Sequence, residues 1–590
     1  MTDMGNDPLK TSKIIWQLAD LYSDKDDSRL QEDLKSSEKK AAELRKSYDG
    51  KIAKLAPAEL LSLVTALEDL ESMQGRISTF AYLNFATQTQ SPEAGAFLQQ
   101  IKEFNSSIGR ETVFFELEWN QLPAEKAEAI LAAKELAHYR HYLTSLRRYA
   151  PHQLSRPEET LLLEKAPVGR SSWNNLFDKV MGQLKFGKEQ RSEEQVLTDL
   201  YAADRRIRSQ AARDLTDGLN SQLHILTHIF NTILADKMID DRLRKHNSWL
   251  SSMNLYNELT DSTVEVLVNE VTNRYDIVQR YYKLKGDLLE LPELVDYDRY
   301  APLPHLPEGS IPWPECRKMV IDSFNEFSPE MAEIGARFFA ENWIHAPLLE
   351  GKRGGAFAHS CVPEVHPYIM VNYSGTLRDV STVAHELGHG IHQYLAAKCG
   401  FYNSSTTLVL AETASVFAEL LLFRAQLDTL KDKQERRAFT CQKLESIFAT
   451  VFRQIAMNRF ENLVHNARRD QGELSTVDLA AHWLASQRLM FADSVTLTDD
   501  YGVWWSYIPH FLSSPGYVYS YAFGELLVLA LYNLYQQDQG KFVPIYLELL
   551  TKGGSADPYE LLKPFDIDLN SPTFWQGGLK IIDDMLKEVE

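Results

Sequence analysis

Residues 376–395, TLRDVSTVAHELGHGIHQYL, decide how this chain is read. Val380, Val383, Ala384, Leu387, Ile391 and Leu395 recur at i, i+3, i+4 spacing, which predicts an amphipathic α-helix with one buried face. Thr376 and Asp379 form the T-x-x-D pattern of a capping box at its start. Inside the stretch stand His385, Glu386 and His389 as H-E-x-x-H. Each residue turns a helix by about 100°, so the two imidazoles lie about 40° and one turn apart, close enough to share a metal ion. Glu386 projects beside that pair, within reach of a water on such an ion. Gly388 and Gly390 each cost about 1 kcal/mol of helix propensity relative to Ala, which predicts close packing or a close ligand. His392 lies near the same face but is expected to pack or hydrogen-bond, because a catalytic zinc keeps one coordination position open.

A catalytic zinc needs a third protein ligand. Residues 408–423, LVLAETASVFAELLLF, predict a second, mostly apolar helix, where a carboxylate is costly unless paired or coordinated. Glu412 and Glu419 lie seven residues apart and so share a face. Glu412 is the expected third ligand. Glu419 would accept the free ring N–H of a ligand histidine, with Asp379 competing for that role and Arg424 as the other candidate partner for Glu419.

Residues 367–380, PYIMVNYSGTLRDV, running into HELGHGIH and later AETASVF, resemble the thimet oligopeptidase and oligoendopeptidase F family of zinc metallopeptidases, with the closer likeness to the bacterial oligoendopeptidase F branch. The likeness is strongest over residues 352–423, returns near the C-terminus and is diffuse over the N-terminal third. It implies one zinc ion per chain held by His385, His389 and Glu412, with Glu386 as general base.

The returning patch is residues 508–524, IPHFLSSPGYVYSYAFG. Pro515-Gly516 signals a turn before an apolar helix. In the resemblance a histidine and tyrosines of this region stabilise the transition state and grip substrate backbone, which points to His510, Tyr517 and Tyr521 as catalytic residues beside Glu386. The thimet branch has another tyrosine three residues after the one matched to Tyr521; here Gly524 stands there, and Tyr519 is the candidate substitute. The chemistry asks for such groups: a hydroxyl or ring N–H donating to the oxyanion of a tetrahedral intermediate is worth about 3 kcal/mol. No G-x-S-x-G nucleophile elbow occurs in the chain.

Upstream, residues 351–357 form a glycine-rich turn, and residues 359–373 carry the alternation of a short hairpin or edge strand. A strand beside the zinc helix would let an extended peptide add by main-chain hydrogen bonds. His359 and His366, in this segment, are expected to be surface or structural residues.

At 590 residues the chain exceeds one ordinary core, and helical periodicity dominates it: residues 26–48, 60–85, 93–122 and 124–149, then 194–234 with Arg205, Arg206 and Arg208 on a solvated face. Residues 291–315 read as a proline-rich loop. The expected fold is mainly α: a large multi-helix body with a deep substrate cleft, as the resemblance implies, and a small β element beside the zinc helix. Residues 1–190 would be a helical, cleft-covering domain and 191–590 the catalytic one. A formal charge of −20 argues against nucleic acid and anionic membrane as partners, leaving oligopeptides, with the chain a monomer or small homo-oligomer. Cys316, Cys361, Cys399 and Cys441 form no C-x-x-C pair and read as free thiols of a cytoplasmic protein, with Cys361 placed near the cleft and open to thiol reagents. The polar residues 1–7 carry no signal sequence, and no apolar run is long enough for a membrane span. The expected activity is zinc-dependent hydrolysis of internal bonds in short unstructured peptides. Two rivals stand beside it: a zinc carboxypeptidase-type exopeptidase, with Lys352, Arg353 or Arg378 reserved for the substrate terminus, and a non-catalytic peptide-binding helical protein.

Overall fold

The computed structural model describes residues 7–306 and 309–590. The polar start read above lies, through residue 6, outside the described residues, as do Pro307 and Glu308 of the proline-rich stretch. The fold is mainly α as expected, with 72% of residues helical and, among those described, one three-stranded sheet. The chain divides into two compact units, neither continuous in sequence.

The first unit comprises Met1–Gln153, Glu308–Asp428 and Leu531–Ile567. Its longest helix, Pro57–Ala86, starts with proline in the first turn and spans two cores. Leu60, Leu63, Val64 and Leu67 pack with Phe114, Phe115 and Trp119, while Ile77, Phe80 and Leu83 pack with Trp16, Tyr22, Tyr368 and Met370. The stretch expected to be helical over 124–149 breaks into Ala124–Leu131 and Arg140–Arg148. Leu136 and Tyr139 between them turn into the first of those cores, and that burial outweighs local helix propensity.

The sheet belongs to this unit. Strands β1 (Ile344–His345), β2 (Phe357–His359) and β3 (Tyr368–Met370) lie in the order β1-β3-β2, with β3 parallel to β1 and antiparallel to β2. The central β3 is fully buried, matching its unbroken apolar run, and β2 is the half-buried edge with Ala358 opposite Ile369. The helix Leu377–Ala396 packs along β2 and β3, so the small β element stands beside the H-E-x-x-H helix as expected.

The second unit comprises Leu154–Pro307, Thr429–Ala530 and Asp568–Glu590. Its core gathers along the helix Arg205–Leu243, where Leu215, Leu219, Leu226 and Phe230 meet Phe460, Trp483, Trp504 and Phe511. Here one expectation is corrected. Arg206 is solvated, but Arg205 and Arg208 grip the buried Asp298 at 2.7 and 2.9 Å. A carboxylate some 90 residues away in sequence redirects them, and helical spacing carries no sign of it.

All four cysteines are free thiols. Burial pushes Cys361 up to about 12, which disfavours the thiolate that a thiol reagent would need. Among the described residues no helix is long and apolar enough to cross a membrane.

Candidate active site

Two helices of the first unit build the centre. Leu377–Ala396 begins with the predicted capping box: Thr376 Oγ1 accepts from Asp379 N at 3.1 Å and the Asp379 carboxylate accepts from Thr376 N at 3.0 Å. Asp379 is thereby spent at the helix start, where it also accepts from Ser374. Leu408–Thr429 is the second helix, and the Tyr546 hydroxyl donates to its Thr413 carbonyl at 3.1 Å. The two cross at Gly388. A Cβ there would lie 2.5 Å from the Ala414 carbonyl oxygen and 2.6 Å from Ser415 Cα, so glycine is required by backbone-to-backbone contact. At Gly390 a Cβ would meet the Phe338 ring at 2.7 Å. Close packing, the first of the two readings of these glycines, is therefore what the structure shows.

This crossing brings His385, His389 and Glu412 together, with one ligand atom of each within 4.8 Å of the others. Glu412 Oε2 lies 3.3 Å from His385 Nε2 and 3.5 Å from His389 Nε2. Bonds of about 2.0–2.2 Å to a tetrahedral zinc separate neighbouring donor atoms by about 3.3–3.6 Å, so both Glu412 distances and the chemistry of the set fit such an ion. Ser415 donates to Glu412 Oε2 at 2.8 Å. On the far side of the ring, His385 Nδ1 is 3.5 Å from Glu419 Oε2, which places Glu419 and not Asp379 against a candidate ligand. Burial alone would lower the His385 pKa, but hydrogen bonds to Glu412 and Glu419 raise it to about 10. Burial likewise opposes the Glu412 charge, and the two histidines reverse that, holding it well below the ordinary carboxylate range.

Glu386 is buried beside the pair. Burial pushes its pKa up, while the two histidines and a backbone hydrogen bond from Ala358 on β2 pull it down. His392 is buried outside the donor set, and burial lowers its pKa to about 4. His366 is structural as expected, stacked on Trp343 at 4.1 Å with Nε2 3.1 Å from Asp20. His359 lies on β2 and its Nδ1 accepts from Cys361 N at 3.2 Å. Lys352, a candidate for gripping a substrate terminus, donates to three carbonyls, those of His345, Pro347 and Val371, at 3.2, 2.9 and 2.7 Å. Its three N–H bonds are consumed within the β1–β3 layer, and Arg353 hydrogen-bonds the Tyr82 hydroxyl.

The second unit carries a separate cluster. His510 opens the short helix His510–Ser513, and its Nε2 lies 3.2 Å from the Tyr521 hydroxyl. The His510 ring stacks over Tyr517 at 5.9 Å and 7°, and Tyr517 meets Tyr521 edge-on at 5.0 Å. Burial, then the charge of Arg453, lowers the His510 pKa, favouring the neutral ring. Tyr519 does not join them: it is fully buried and accepts from Asn257 Nδ2 at 2.9 Å. It faces the core because it opens the helix Tyr519–Gln537 with its apolar side inward.

One residue here escaped the sequence reading. Glu461, on the helix Phe452–Gln471, is buried and accepts from Gly516 N at 2.8 Å, fixing the turn that delivers Tyr517. Gly516 has φ +83°, and a Cβ would lie 2.8 Å from Leu250, so the turn admits only glycine. The available signal was a carboxylate between Phe460 and Val464, in a run otherwise directed at the core.

Set against known proteins, residues 199–581 match the model of peptidase family M3 and residues 118–186 that of oligopeptidase F. The oligopeptidase PepF of Bacillus subtilis is 26% identical over 587 residues, covering 98% of this chain and 86% of that protein. Among solved structures, a candidate peptidase of Chlamydophila abortus has a TM-score of 0.83 at 24% identity over 98% of each chain. The oligoendopeptidase-F of Enterococcus faecium has a TM-score of 0.71 at 22% identity, covering 95% of this chain and 96% of its own.

Proposed function

This chain belongs to peptidase family M3, a family of metallopeptidases, and on that premise we propose that it is a zinc-dependent endopeptidase of short, unstructured oligopeptides. The observation that carries the reading is the convergence of His385, His389 and Glu412, one ligand atom of each within 4.8 Å of the others, with Glu386 buried beside them. Zinc bound by those three would polarise the scissile carbonyl and lower the pKa of its water to about 7. Glu386 is the general base: it takes the proton of the attacking water and passes it to the leaving amine. The pKa rise from its burial supports that task, since a base works best with a pKa near the working pH. His510, Tyr517 and Tyr521 are the donors to the developing oxyanion and to the peptide backbone. Their support is their own clustering, with a neutral imidazole hydrogen-bonded to a phenol. The outward-facing main chain of Ala358 on the β2 edge is bonded to Glu386 and Gln393, so an extended peptide would pair there by displacing those bonds. In the same reading residues 1–190 limit access to short chains, and the four free thiols suit a cytoplasmic location.

The test combines metal analysis with an internally quenched peptide blocked at both ends. Wild type carries zinc and cleaves it. Glu386→Gln keeps the metal and loses about 10²–10⁴-fold in turnover. Retained turnover in that variant would overturn the mechanism. Cleavage confined to peptides with a free terminus would make the chain an exopeptidase, and protein without zinc or turnover would leave a peptide-binding module.

A further inference from the structure

Several cations of the second unit have carboxylate partners. Arg205 and Arg208 share Asp298, Arg280 holds Asp583 and Glu590, and Lys285 meets Glu445. Arg453, the second residue of the helix Phe452–Gln471, differs from these. Among the described residues no carboxylate reaches its guanidinium. One Nη lies 3.5 Å from the Tyr507 hydroxyl, and Nε is shielded from water without a partner. Arg299 stands in the same neighbourhood, close enough for the two like charges to oppose each other. It too makes no ion pair among the described residues: its Nε donates to the Asp296 carbonyl at 2.8 Å, one Nη donates to the Tyr300 hydroxyl at 3.3 Å, and its guanidinium lies over the rings of Tyr300, Phe491 and Tyr501 at 5.0, 5.0 and 4.9 Å. The Asp296 carboxylate favours the Arg299 charge from a distance while its hydrogen bonds go to Thr498, accepting from N and Oγ1 at 2.9 and 2.6 Å.

Two guanidiniums thus share a tyrosine-walled site in which phenol oxygens are their side-chain acceptors and neither has a carboxylate within ion-pair distance among the described residues. Arg299 and Tyr501 are buried, whereas Arg453, Tyr300 and Tyr507 are half-buried. Unmatched charge held away from water is costly, and a guanidinium fork answers best to a planar oxyanion. The site also lies next to chemistry: Tyr507 precedes His510 by three residues, with Pro509 between them at the start of the His510 helix.

We propose that Arg453 and Tyr507, backed by Arg299, form a carboxylate-binding subsite that seats the C-terminal carboxylate or an acidic side chain of the peptide beside His510. This rests on the peptidase reading and makes it specific: the enzyme would favour substrates carrying a carboxylate at a fixed distance from the scissile bond.

The experiment uses the full-length zinc enzyme and three matched quenched peptides: a free acid, its C-terminal amide, and an amide with one glutamate moved stepwise along the primed side. The expected result is a KM about tenfold or more lower for the carboxylate-bearing member than for the plain amide, the scale of a charge-assisted hydrogen bond. The free acid and the glutamate series tell a terminal from a side-chain carboxylate. Arg453→Gln should collapse that ratio towards one, Arg453→Lys should restore part of it, and Tyr507→Phe should shrink it less. Equal KM values for all wild-type pairs would overturn the proposal, as would a ratio that survives Arg453→Gln. If the wild type turned over no peptide, the peptidase reading would fail on its own. The same pairs titrated calorimetrically into Glu386→Gln, with and without Arg453→Gln, would still decide the subsite, since a binding ratio indifferent to Arg453 sinks it.

Discussion

His385, His389 and Glu412 sit on two long helices and hold one another through charge. His510, Tyr517 and Tyr521 sit on a four-residue helix, a glycine turn and the first turn of another helix, and hold one another through ring faces and one hydrogen bond. The first group is set by backbone contact at Gly388, which no side-chain motion can loosen. The second depends on a buried carboxyl group, Glu461, that reaches the turn from another helix. One half of the proposed machinery is therefore rigid by construction, and the other is held by an adjustable tether. Substitutions should separate the two.

The largest effect is expected at the rigid half. Glu412→Ala removes the carboxylate shared by both histidines, so metal content should fall to background and turnover with it. A variant that still held zinc tightly would remove Glu412 from the ligand set. Next comes Tyr521→Phe, which should keep the metal and lower kcat by about 10²–10³-fold if its hydroxyl serves the oxyanion. An unchanged kcat would reduce the tyrosine to a packing residue. Glu419→Gln should weaken metal affinity about 10- to 100-fold, read by competition with a chelator, because it braces His385 without ligating. Equal affinities would mean that the 3.5 Å contact orients nothing.

The smallest effect tests the tether and is a matter of pH. Burial raises the Glu461 pKa to about 8 against an ordinary value of 4.5, so the folded protein keeps a proton that the unfolded chain releases. Its stabilising contribution is complete below about 4.5 and is lost as pH rises towards 8. The melting temperature should decline across that window, and Glu461→Gln, which keeps an acceptor for Gly516 N, should flatten the decline. Parallel melting profiles for the two proteins would show that the group titrates normally.

The same contrast explains what could be read in advance. H-E-x-x-H, the Thr376–Asp379 cap and the Glu412–Glu419 spacing are local patterns on regular helices, and helix geometry turns such spacing into position. The fold class and the neighbouring strands were legible for the same reason. Tyr519 and Tyr521 alternate in sequence, yet one is sealed against Asn257 and the other meets His510, a choice made by where the helix begins. Arg208 looked solvated until Asp298 closed on it, and Glu461 found its turn 55 residues away. Such pairings are tertiary decisions, and no period in the chain encodes them.

The contact at Gly388 also bears on which ions the centre can take. Two helices pressed backbone to backbone form a gauge block, and the anchor points of the three side chains are set before any ion arrives. Cobalt or manganese offered in place of zinc would have to be met by side-chain adjustment on an unmoved backbone. Exchange should therefore alter the chemistry at the centre while leaving the helices where they stand.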